Sequence, residues 1–258
     1  MTSDFEYALD PVTFAESIGF HPDQWQKDFL SSSYQRILLN CARQMGKSSV
    51  CALLSAHRAL FYPVSLVLVV SPSERQSGEL FRMINGFLDR LPSPPRKIED
   101  MKTSFKLDNG SRVVALPSTE TTVRGFAGVD LLLIDEAARV SDDLIKSLSP
   151  MLAVSGGKLV ALSTPAGKRG WWFDQWVNGG EDYYRFEVPA SECPRISPAF
   201  LEQERRSLGE WAYLQEYCCI FSETRDSVFS FDSIMASLSD DITPLFSEPI
   251  ESNHRSIL

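Results

Sequence analysis

Residues 41–49 read CARQMGKSS, a stretch whose residue types suit phosphate binding. They follow an apolar run and precede a helix-like segment, so they fall on a turn between a strand and a helix. Such a turn directs free backbone N–H groups at one point, and Gly46 lets the backbone approach a ligand closely. Lys47 adds a cation for terminal phosphates, and the Ser48 hydroxyl can ligate Mg²⁺. Cys41 replaces the first glycine of the pattern G-x-x-x-x-G-K-[ST], so a capped helix with an exposed lysine is the competing interpretation.

Further along the chain, the run LLLIDEA at 131–137 is an apolar strand that ends in two carboxylates. In open α/β sheets, ligands bind at the carboxyl ends of strands. One acid there can hold the hydration shell of Mg²⁺, and another can orient or deprotonate an attacking water. Asp135 suits the first role and Glu136 the second. A strand ending in solvated acids is the alternative, and it loses weight because the phosphate loop precedes the acids in the right topology.

Other positions could sense or stabilise a phosphate group. The run LVALSTP at 159–165 ends in Ser163 and Thr164, whose hydroxyls could bond the water or the terminal phosphate, although both residues are also common in turns. Arg43 lies inside the phosphate loop, and Arg124 lies in a loop upstream of the two acids. Either guanidinium could neutralise charge that develops on a transferred phosphate, and a surface ion pair is the alternative for each.

The upstream segment HPDQWQKDFL offers two glutamines, Gln24 and Gln26, that could pair with an adenine edge. Trp25 and Phe29 are four residues apart, which predicts a helix face packed on the core. The aromatic group at 171–176 is likewise predicted to be core rather than a base-stacking platform.

Short β-rich runs alternate with helix-like segments between residues 34 and 190, which predicts an α/β fold with a mostly parallel sheet. Residues 92–100 are predicted as a loop and 103–117 as a hairpin, with Asn109 and Gly110 at the two positive-φ positions of its turn. The other predicted strands are 36–41, 64–70, 130–134, 159–163 and 183–189, and the predicted helices are 47–61, 74–91 and 142–152.

From Ser197 to Phe221 the apolar spacing becomes helical and predicts a small helical subdomain. We therefore divide the chain into a core at 1–190 that includes the glutamine segment, a helical subdomain at 191–222 and an acidic tail at 223–258. The residues expected to form the buried stripe of this subdomain are Phe200, Leu201, Leu208, Trp211, Leu214 and Tyr217.

The chain has 258 residues, 43% of them apolar, and a net charge of −9 that by itself argues against a nucleic-acid partner. The charge is uneven, since the first 33 residues carry six acids and one lysine, and the last 37 carry seven acids and two arginines. That leaves 22 basic and 21 acidic side chains between them. The five cysteines form no C-x-x-C pair and favour free thiols in a reducing cytoplasm.

These motifs resemble, in the same order, the ATPase domain of phage large terminase subunits, the motors that pump double-stranded DNA into procapsids. The matching segments are PDQWQ, ARQMGKS, VVSPSERQSGELF, VRGFAGVDLLLIDEAA, LSTPAGKRGWWFDQW and YLQEYCCIFSE. They cover most of the chain, and the ordered set is more specific than any one segment. The resemblance implies an α/β P-loop NTPase fold of the additional-strand, catalytic-glutamate type, with helices flanking a mostly parallel sheet and a small helical lid.

The resemblance also implies a role for each matching residue. Ser48 and Asp135 would hold Mg²⁺, Glu136 would activate the water, and Arg124 would act as a finger on a neighbouring subunit, although the choice between Arg124 and Arg43 stays open. Ser163 and Thr164 would couple hydrolysis to lid movement, and Gln26 would contact adenine. The residues implied to bind ATP are Gln26, Arg43, Gln44, Met45, Gly46, Lys47, Ser48, Ser49, Ser163 and Thr164.

The function that the resemblance implies is Mg²⁺-dependent ATP hydrolysis that drives DNA packaging. The partners would be double-stranded DNA, the portal protein and the small terminase subunit, around a homo-oligomeric ring whose isolated chains could be monomers. The protein would act in the cytoplasm of an infected or lysogenic bacterial host and transiently at the procapsid portal. No apolar run in the sequence is long enough to span a membrane, so we expect no membrane association.

Terminases of this type normally continue into an RNase H-like nuclease, for which residues 223–258 are too few, so we expect no nuclease activity. The chain would then be a fragment, a split-gene product or a dedicated ATPase. Two other functions stay open: a helicase-like single-lobe ATPase, and an ATP-binding switch or assembly protein without significant turnover.

Overall fold

The computed structural model describes residues 2–118, 125–223 and 236–237. The chain divides into two units, Met1–Ser222 and Glu223–Leu258, and every element discussed below belongs to the first. Arg124 and most of the acidic tail lie outside the described residues, so what was predicted for them stays a prediction.

An eight-stranded sheet forms the centre of the first unit. Its strands are β1 (Arg36–Cys41), β2 (Leu66–Ser71), β3 (Lys97–Asp100), β4 (Ser104–Leu107), β5 (Arg112–Pro117), β6 (Leu131–Asp135), β7 (Lys158–Ser163) and β8 (Tyr184–Val188). They follow the order β3-β4-β5-β2-β6-β7-β1-β8, parallel from β5 to β8 and antiparallel from β3 to β5. Continuous apolar strands such as β6 are buried along their length because helices cover both faces.

The order of the central strands brings the predicted motifs together. β7 lies between β1 and β6 and is parallel to both. The carboxyl ends of these three strands therefore meet at one edge, where β1 leads into the phosphate loop and β6 ends in the two acids. A strand inserted between these two is the defining feature of the additional-strand class, and the predicted fold class is confirmed.

Helices cover the sheet in two layers and create two hydrophobic cores. Successive residues of β2 point to opposite faces, so that Val67 and Val69 enter one core and Leu68 and Val70 enter the other. The helices are α1 (Thr2–Leu9), α2 (Pro11–Ser17), α3 (Gln24–Leu30), α4 (Lys47–Phe61), α5 (Glu74–Leu88), α6 (Asp142–Leu148), α7 (Gly170–Asn178), α8 (Pro198–Leu208) and α9 (Glu210–Tyr217). Helices α2 to α5 pack on the first face, and α6 and α7 on the second.

The aromatic residues predicted to be core are largely buried. Trp25 and Phe29 of α3 contribute to the first core, and Trp172 of α7 is 2% exposed in the second. Trp171 and Trp176 pack against that second core as half-buried side chains.

The hairpin predicted at 103–117 is confirmed as β4 and β5, but the predicted turn is wrong. Gly110 has a φ of +87°, whereas Asn109 does not adopt positive φ. The Asn109 side chain accepts the Ser111 N–H at 2.9 Å, and its Nδ2 donates to the carbonyl of Ala59 at 2.9 Å in the last turn of α4. Asn109 thus satisfies free carbonyls of a helix end, a contact between elements that a turn motif does not reveal.

The predicted loop at 92–100 is also partly wrong, since residues 97–100 form the edge strand β3. β3 pairs antiparallel with β4 and has exposed side chains along most of its length. The polar composition suggested a loop, and an edge strand tolerates that composition because one side of it faces solvent.

The helical region predicted from Ser197 is confirmed, but it is divided into two helices. Gly209, with a φ of +78°, ends the first helix and precedes the second. The predicted buried stripe is wrong for most of its members. Only Tyr217 is buried, because α8 and α9 pack chiefly on each other and leave one side of the pair open. Leu201 and Leu214 are half-buried, and the exposed members of the stripe are Phe200, Leu208 and Trp211.

Candidate nucleotide site

The phosphate loop leaves β1 at Cys41 and enters α4 at Lys47. Two of its residues, Gln44 and Gly46, adopt left-handed backbone with φ of +60° and +79°. Non-glycine residues rarely adopt this conformation, and those that do cluster at functional sites. Gly46 is the N-cap of α4 and supplies no side-chain cap, so the first N–H groups of the helix stay free for an anion.

Lys47 and Asp135 are oppositely charged and both largely buried at the carboxyl edge of the sheet. Lys47 is 9% exposed and Asp135 is 7% exposed. Burial and the neighbouring Glu136 raise the pKa of Asp135 to about 6, and the Lys47 ammonium offsets part of that effect. The arrangement places one buried cation beside an incompletely compensated carboxylate.

Glu136 follows Asp135 but points elsewhere. Its backbone is left-handed, with φ of +51°, and its N–H donates to Asp135 Oδ1 at 3.1 Å. The Glu136 carboxylate forms an ion pair with the guanidinium of Arg139, three residues further on. The sequence did not single out Arg139, because an acid and a base three residues apart are a common pair on helix surfaces.

Gln26 lies against the phosphate loop. Its Nε2 donates to the carbonyls of Met45 and Gly46, each at 3.4 Å, and its Oε1 accepts the N–H of Asp23 at 3.0 Å. Gln26 is 3% exposed, and a Cβ added to Gly46 would approach Gln26 Nε2 to 2.8 Å. The side chain therefore supports the loop through two of its backbone carbonyls. The adenine contact implied by the resemblance stays a prediction.

Arg43 extends from the phosphate loop to α9. Its Nε donates to Glu216 Oε2 at 2.6 Å, and its backbone N–H donates to the Glu216 carbonyl at 3.0 Å. This double contact ties the loop to the α8–α9 helix pair. The partner, Glu216, carried no recognisable pattern in the sequence, and Arg124 cannot be compared with Arg43 because it lies outside the described residues.

The ends of β7 and β1 are linked to their surroundings by buried polar groups. Ser163 is fully buried, and its Oγ accepts the N–H of Ala138 at 3.3 Å, which joins β7 to the turn after Glu136. Thr164 is 2% exposed beside it. Asn40, also fully buried, donates to the carbonyl of Cys219 at 2.8 Å and anchors the chain that leaves α9. The sequence pointed to Ser163 and Thr164 but not to Asn40, which lies inside an apolar strand.

The donor set fits Mg²⁺. Within the described residues no three His, Cys, Asp or Glu side chains converge into a metal cage. Mg²⁺ is instead usually held by one or two protein oxygens together with waters and substrate phosphates. The buried Asp135 carboxylate and the Ser48 hydroxyl in the first turn of α4 would supply such oxygens.

The strand order, the left-handed phosphate loop and the two acids at the end of β6 define a P-loop NTPase of the additional-strand class. A family model described as "Terminase large subunit, T4likevirus-type, N-terminal" matches residues 38–235. The chain therefore belongs to this family of large terminase subunits.

Solved structures agree with this assignment at the level of fold. The ATPase domain of the Thermus phage P74-26 large terminase superimposes with a TM-score of 0.72 at 20% identity, covering 81% of this chain and 97% of that one. The large terminase of bacteriophage HK97 gives 0.61 at 18% identity, over 85% of this chain and 49% of that one. A large terminase from a thermophilic bacteriophage, in complex with ATP-γ-S, gives 0.59 at 14% identity over 84% and 52%. This chain thus spans about half the length of the two longer structures.

The helices in the described parts of the chain include none with the length and apolar character needed to cross a bilayer.

Proposed function

We propose that this chain hydrolyses ATP to ADP and phosphate, and that the turnover drives double-stranded DNA into a viral procapsid. The observation that carries the proposal is the meeting of Lys47, Asp135 and Glu136 at the carboxyl edge of the sheet. Family membership supports the packaging role, and the ATP-γ-S complex of a terminase with the same fold supports ATP as the ligand.

Each residue in the site has a task in that reaction. Lys47 and the free N–H groups of α4 would bind and polarise the terminal phosphates. Ser48 and Asp135 would hold Mg²⁺, which would neutralise charge on the phosphate oxygens. Glu136 would orient the attacking water and accept its proton, which first requires its carboxylate to leave the ion pair with Arg139.

Two further tasks belong to the arginines and to the end of β7. Arg124 would stabilise charge on a neighbouring subunit's substrate, and Arg43 would transmit loop movement to α9 through Glu216. Ser163 and Thr164 would pass the change at Glu136 into the core, since Ser163 contacts the turn that follows it. Residues 191–222 would then act as the lid of a core at 1–190, with 223–258 as a tail.

The proposed setting is a homo-oligomeric ring on the portal protein, loaded with DNA with help from a small terminase subunit in the host cytoplasm. Such a motor needs no strongly basic surface, because DNA would be gripped by a few loops repeated around the ring.

The test is Glu136→Gln, which keeps size and polarity but removes the base. We expect ATP affinity close to wild type by calorimetry and phosphate release lowered at least about a hundredfold. A matched control is Glu181→Gln, an exposed acid outside the phosphate loop and outside the strand that carries Asp135 and Glu136. Near wild-type turnover by Glu136→Gln would contradict the assignment.

A nucleotide-dependent switch is the second candidate, and the Arg139–Glu136 ion pair favours it, because the pair occupies the carboxylate that hydrolysis needs. Phosphate release measured with and without linear duplex DNA separates the two. A motor would turn over ATP and respond to DNA, whereas a switch would bind ATP and release little phosphate in either condition.

A further inference from the structure

A polar pocket lies at the edge of the sheet opposite the nucleotide site. Lys158 begins β7 and Ser32 precedes β1, and the amino ends of these parallel strands meet at that edge. The pocket has a volume of about 300 Å³, and its lining includes His57 and Arg58 from the last turns of α4 together with Lys158. It shares no residue with the phosphate loop or the two acids.

Lys158 is buried in this pocket without a carboxylate partner among the described residues. It is 8% exposed, and its Nζ donates to the carbonyl of Ser32 at 2.7 Å. Burial, with a smaller contribution from the Arg58 charge, lowers the pKa of Lys158 to about 8. A buried ammonium usually has a counter-ion, and a carbonyl is only a partial substitute.

Arg58 adds a second cation to the same space. Its guanidinium stacks over the Tyr62 ring at 4.1 Å from the centroid. Stacking uses the face of the guanidinium and leaves its N–H edge for in-plane acceptors. In the described part of the chain, no carboxylate forms an ion pair with this edge.

The acid that lines the pocket is already engaged. Asp10 accepts the Val12 N–H at 2.9 Å and the Thr13 hydroxyl at 2.5 Å, as the N-cap of α2. His57, whose Nε2 lies 2.8 Å from the Tyr7 carbonyl, is held neutral by burial, which lowers its pKa. The pocket therefore contains two cations against one carboxylate that is committed elsewhere.

We propose that this pocket binds a phosphate group, with Arg58 donating along its planar edge and Lys158 acting as a point charge. Arg and Lys together are the usual pair for tetrahedral oxyanions, because one gives two parallel hydrogen bonds and the other adds charge from any direction. The phosphate has two available sources, the backbone of bound DNA or a free phosphate or nucleotide, and the chemistry of recognition is the same for both.

The first experiment isolates the pocket from the nucleotide site. In a Lys47→Ala background, which weakens phosphate binding at the loop, thermal unfolding of the full chain is followed in sodium phosphate and in sodium chloride at equal ionic strength and pH 7. We expect phosphate at tenfold over its dissociation constant to raise the melting temperature by about 3 °C. Arg58→Gln and Lys158→Met should each remove that rise, and Lys146→Met, an exposed lysine paired with Asp143, should keep it.

Arg58→Gln covers the case in which Lys158→Met fails to fold, since Arg58 is only half-buried.

The second experiment measures binding of a short duplex oligonucleotide to the same proteins by fluorescence anisotropy. Loss of DNA affinity in Arg58→Gln together with the lost phosphate effect assigns the site to the DNA backbone. Unchanged DNA affinity with a lost phosphate effect assigns it to a small phosphate. No phosphate effect in the background, or an equal effect in all variants, overturns the proposal.

Discussion

Two consecutive carboxylates, Asp135 and Glu136, occupy different environments in the nucleotide site. Asp135 ends β6 inside the sheet edge, where burial raises its pKa to about 6. Glu136 turns away in left-handed backbone and pairs with Arg139 at the surface. In the proposed reaction, this separation would let Asp135 hold the metal and Glu136 orient the water.

The raised pKa of Asp135 predicts how stability depends on pH in the nucleotide-free protein. The folded state holds this proton more tightly than the unfolded state, so the free energy of unfolding falls as pH rises from about 4 to about 6. The difference between a pKa of about 6 and the ordinary 3.8 corresponds to about 3 kcal/mol at most. Asp135→Asn should lack this loss, as measured by urea unfolding at several pH values.

Asp143→Asn is the matched control, because Asp143 is exposed and pairs with Lys146 on α6. Its pH profile should follow wild type. If Asp135→Asn and Asp143→Asn gave the same profile, the buried carboxylate would not be the group that titrates.

The amide of Gln26 supports the phosphate loop, so replacing this residue should affect nucleotide binding. Removing the contacts to Met45 and Gly46 should loosen the loop and weaken ATP and ADP binding alike, by about fivefold. The measurement is calorimetric affinity for ATP, ADP and GTP in Gln26→Ala. Gln24→Ala is the control, since that side chain bonds Asp28 on the exposed face of α3. If adenine nucleotides alone lost affinity, Gln26 would read the base.

At the scale of elements, the α8–α9 helix pair contacts the rest of the first unit through polar groups as well as through the apolar side chains of Leu201, Tyr213 and Tyr217, which pack on the first core. Arg43 binds Glu216 of α9, and Asn40 of β1 binds the carbonyl of Cys219 just after it. Cys219 has a φ of +61°, so this carbonyl is held in place by unusual backbone. In the proposed function, the Arg43–Glu216 contact would pass movement of the phosphate loop to this helix pair.

Asn40→Ala tests the strength of that junction. The substitution leaves a buried Cys219 carbonyl without its donor and should lower the free energy of unfolding by about 1–3 kcal/mol. Asn85→Ala is the matched control, because Asn85 donates only to the Phe81 carbonyl within its own helix, α5. Equal and small losses in the two variants, measured by denaturant unfolding, would show that the Asn40 contact does not hold the segment.

At the scale of the whole molecule, the proposed finger requires one subunit to complete the site of another. Arg124→Ala should lower turnover by about a thousandfold. Glu136→Gln should be inactive because it lacks the group that activates water in its own site. A mixture of the two should regain phosphate release, because each variant keeps what the other lacks. The regained rate should rise with total protein concentration.

Each variant measured alone at the same total concentration is the control for this mixture. The mixture could stay inactive under conditions in which the wild type is active. That result would place the arginine on the same subunit as its substrate, or would leave Arg43 as the finger. Either result would remove the need for a ring in the chemical step.

The sequence by itself determined the fold class and the succession of strands and helices in the core, and it named candidate residues for the nucleotide site. These features were readable because each depends on local chemistry, such as the glycine–lysine–serine turn at 46–48 or the acids that end β6. The bounds of the central elements differed from the prediction by few residues, since continuous apolar runs must be buried in a parallel sheet.

Only the tertiary structure decided which groups those residues meet. Gln26 against the phosphate loop, Arg43 on Glu216 and Asn40 on Cys219 join positions far apart in the chain, and no spacing rule connects them. The turn at Asn109 was misread for the same reason, because its side chain bonds a distant helix end. Hydrogen bonds between elements depend on how the elements dock, whereas the sequence pattern reports only which face of each element is apolar.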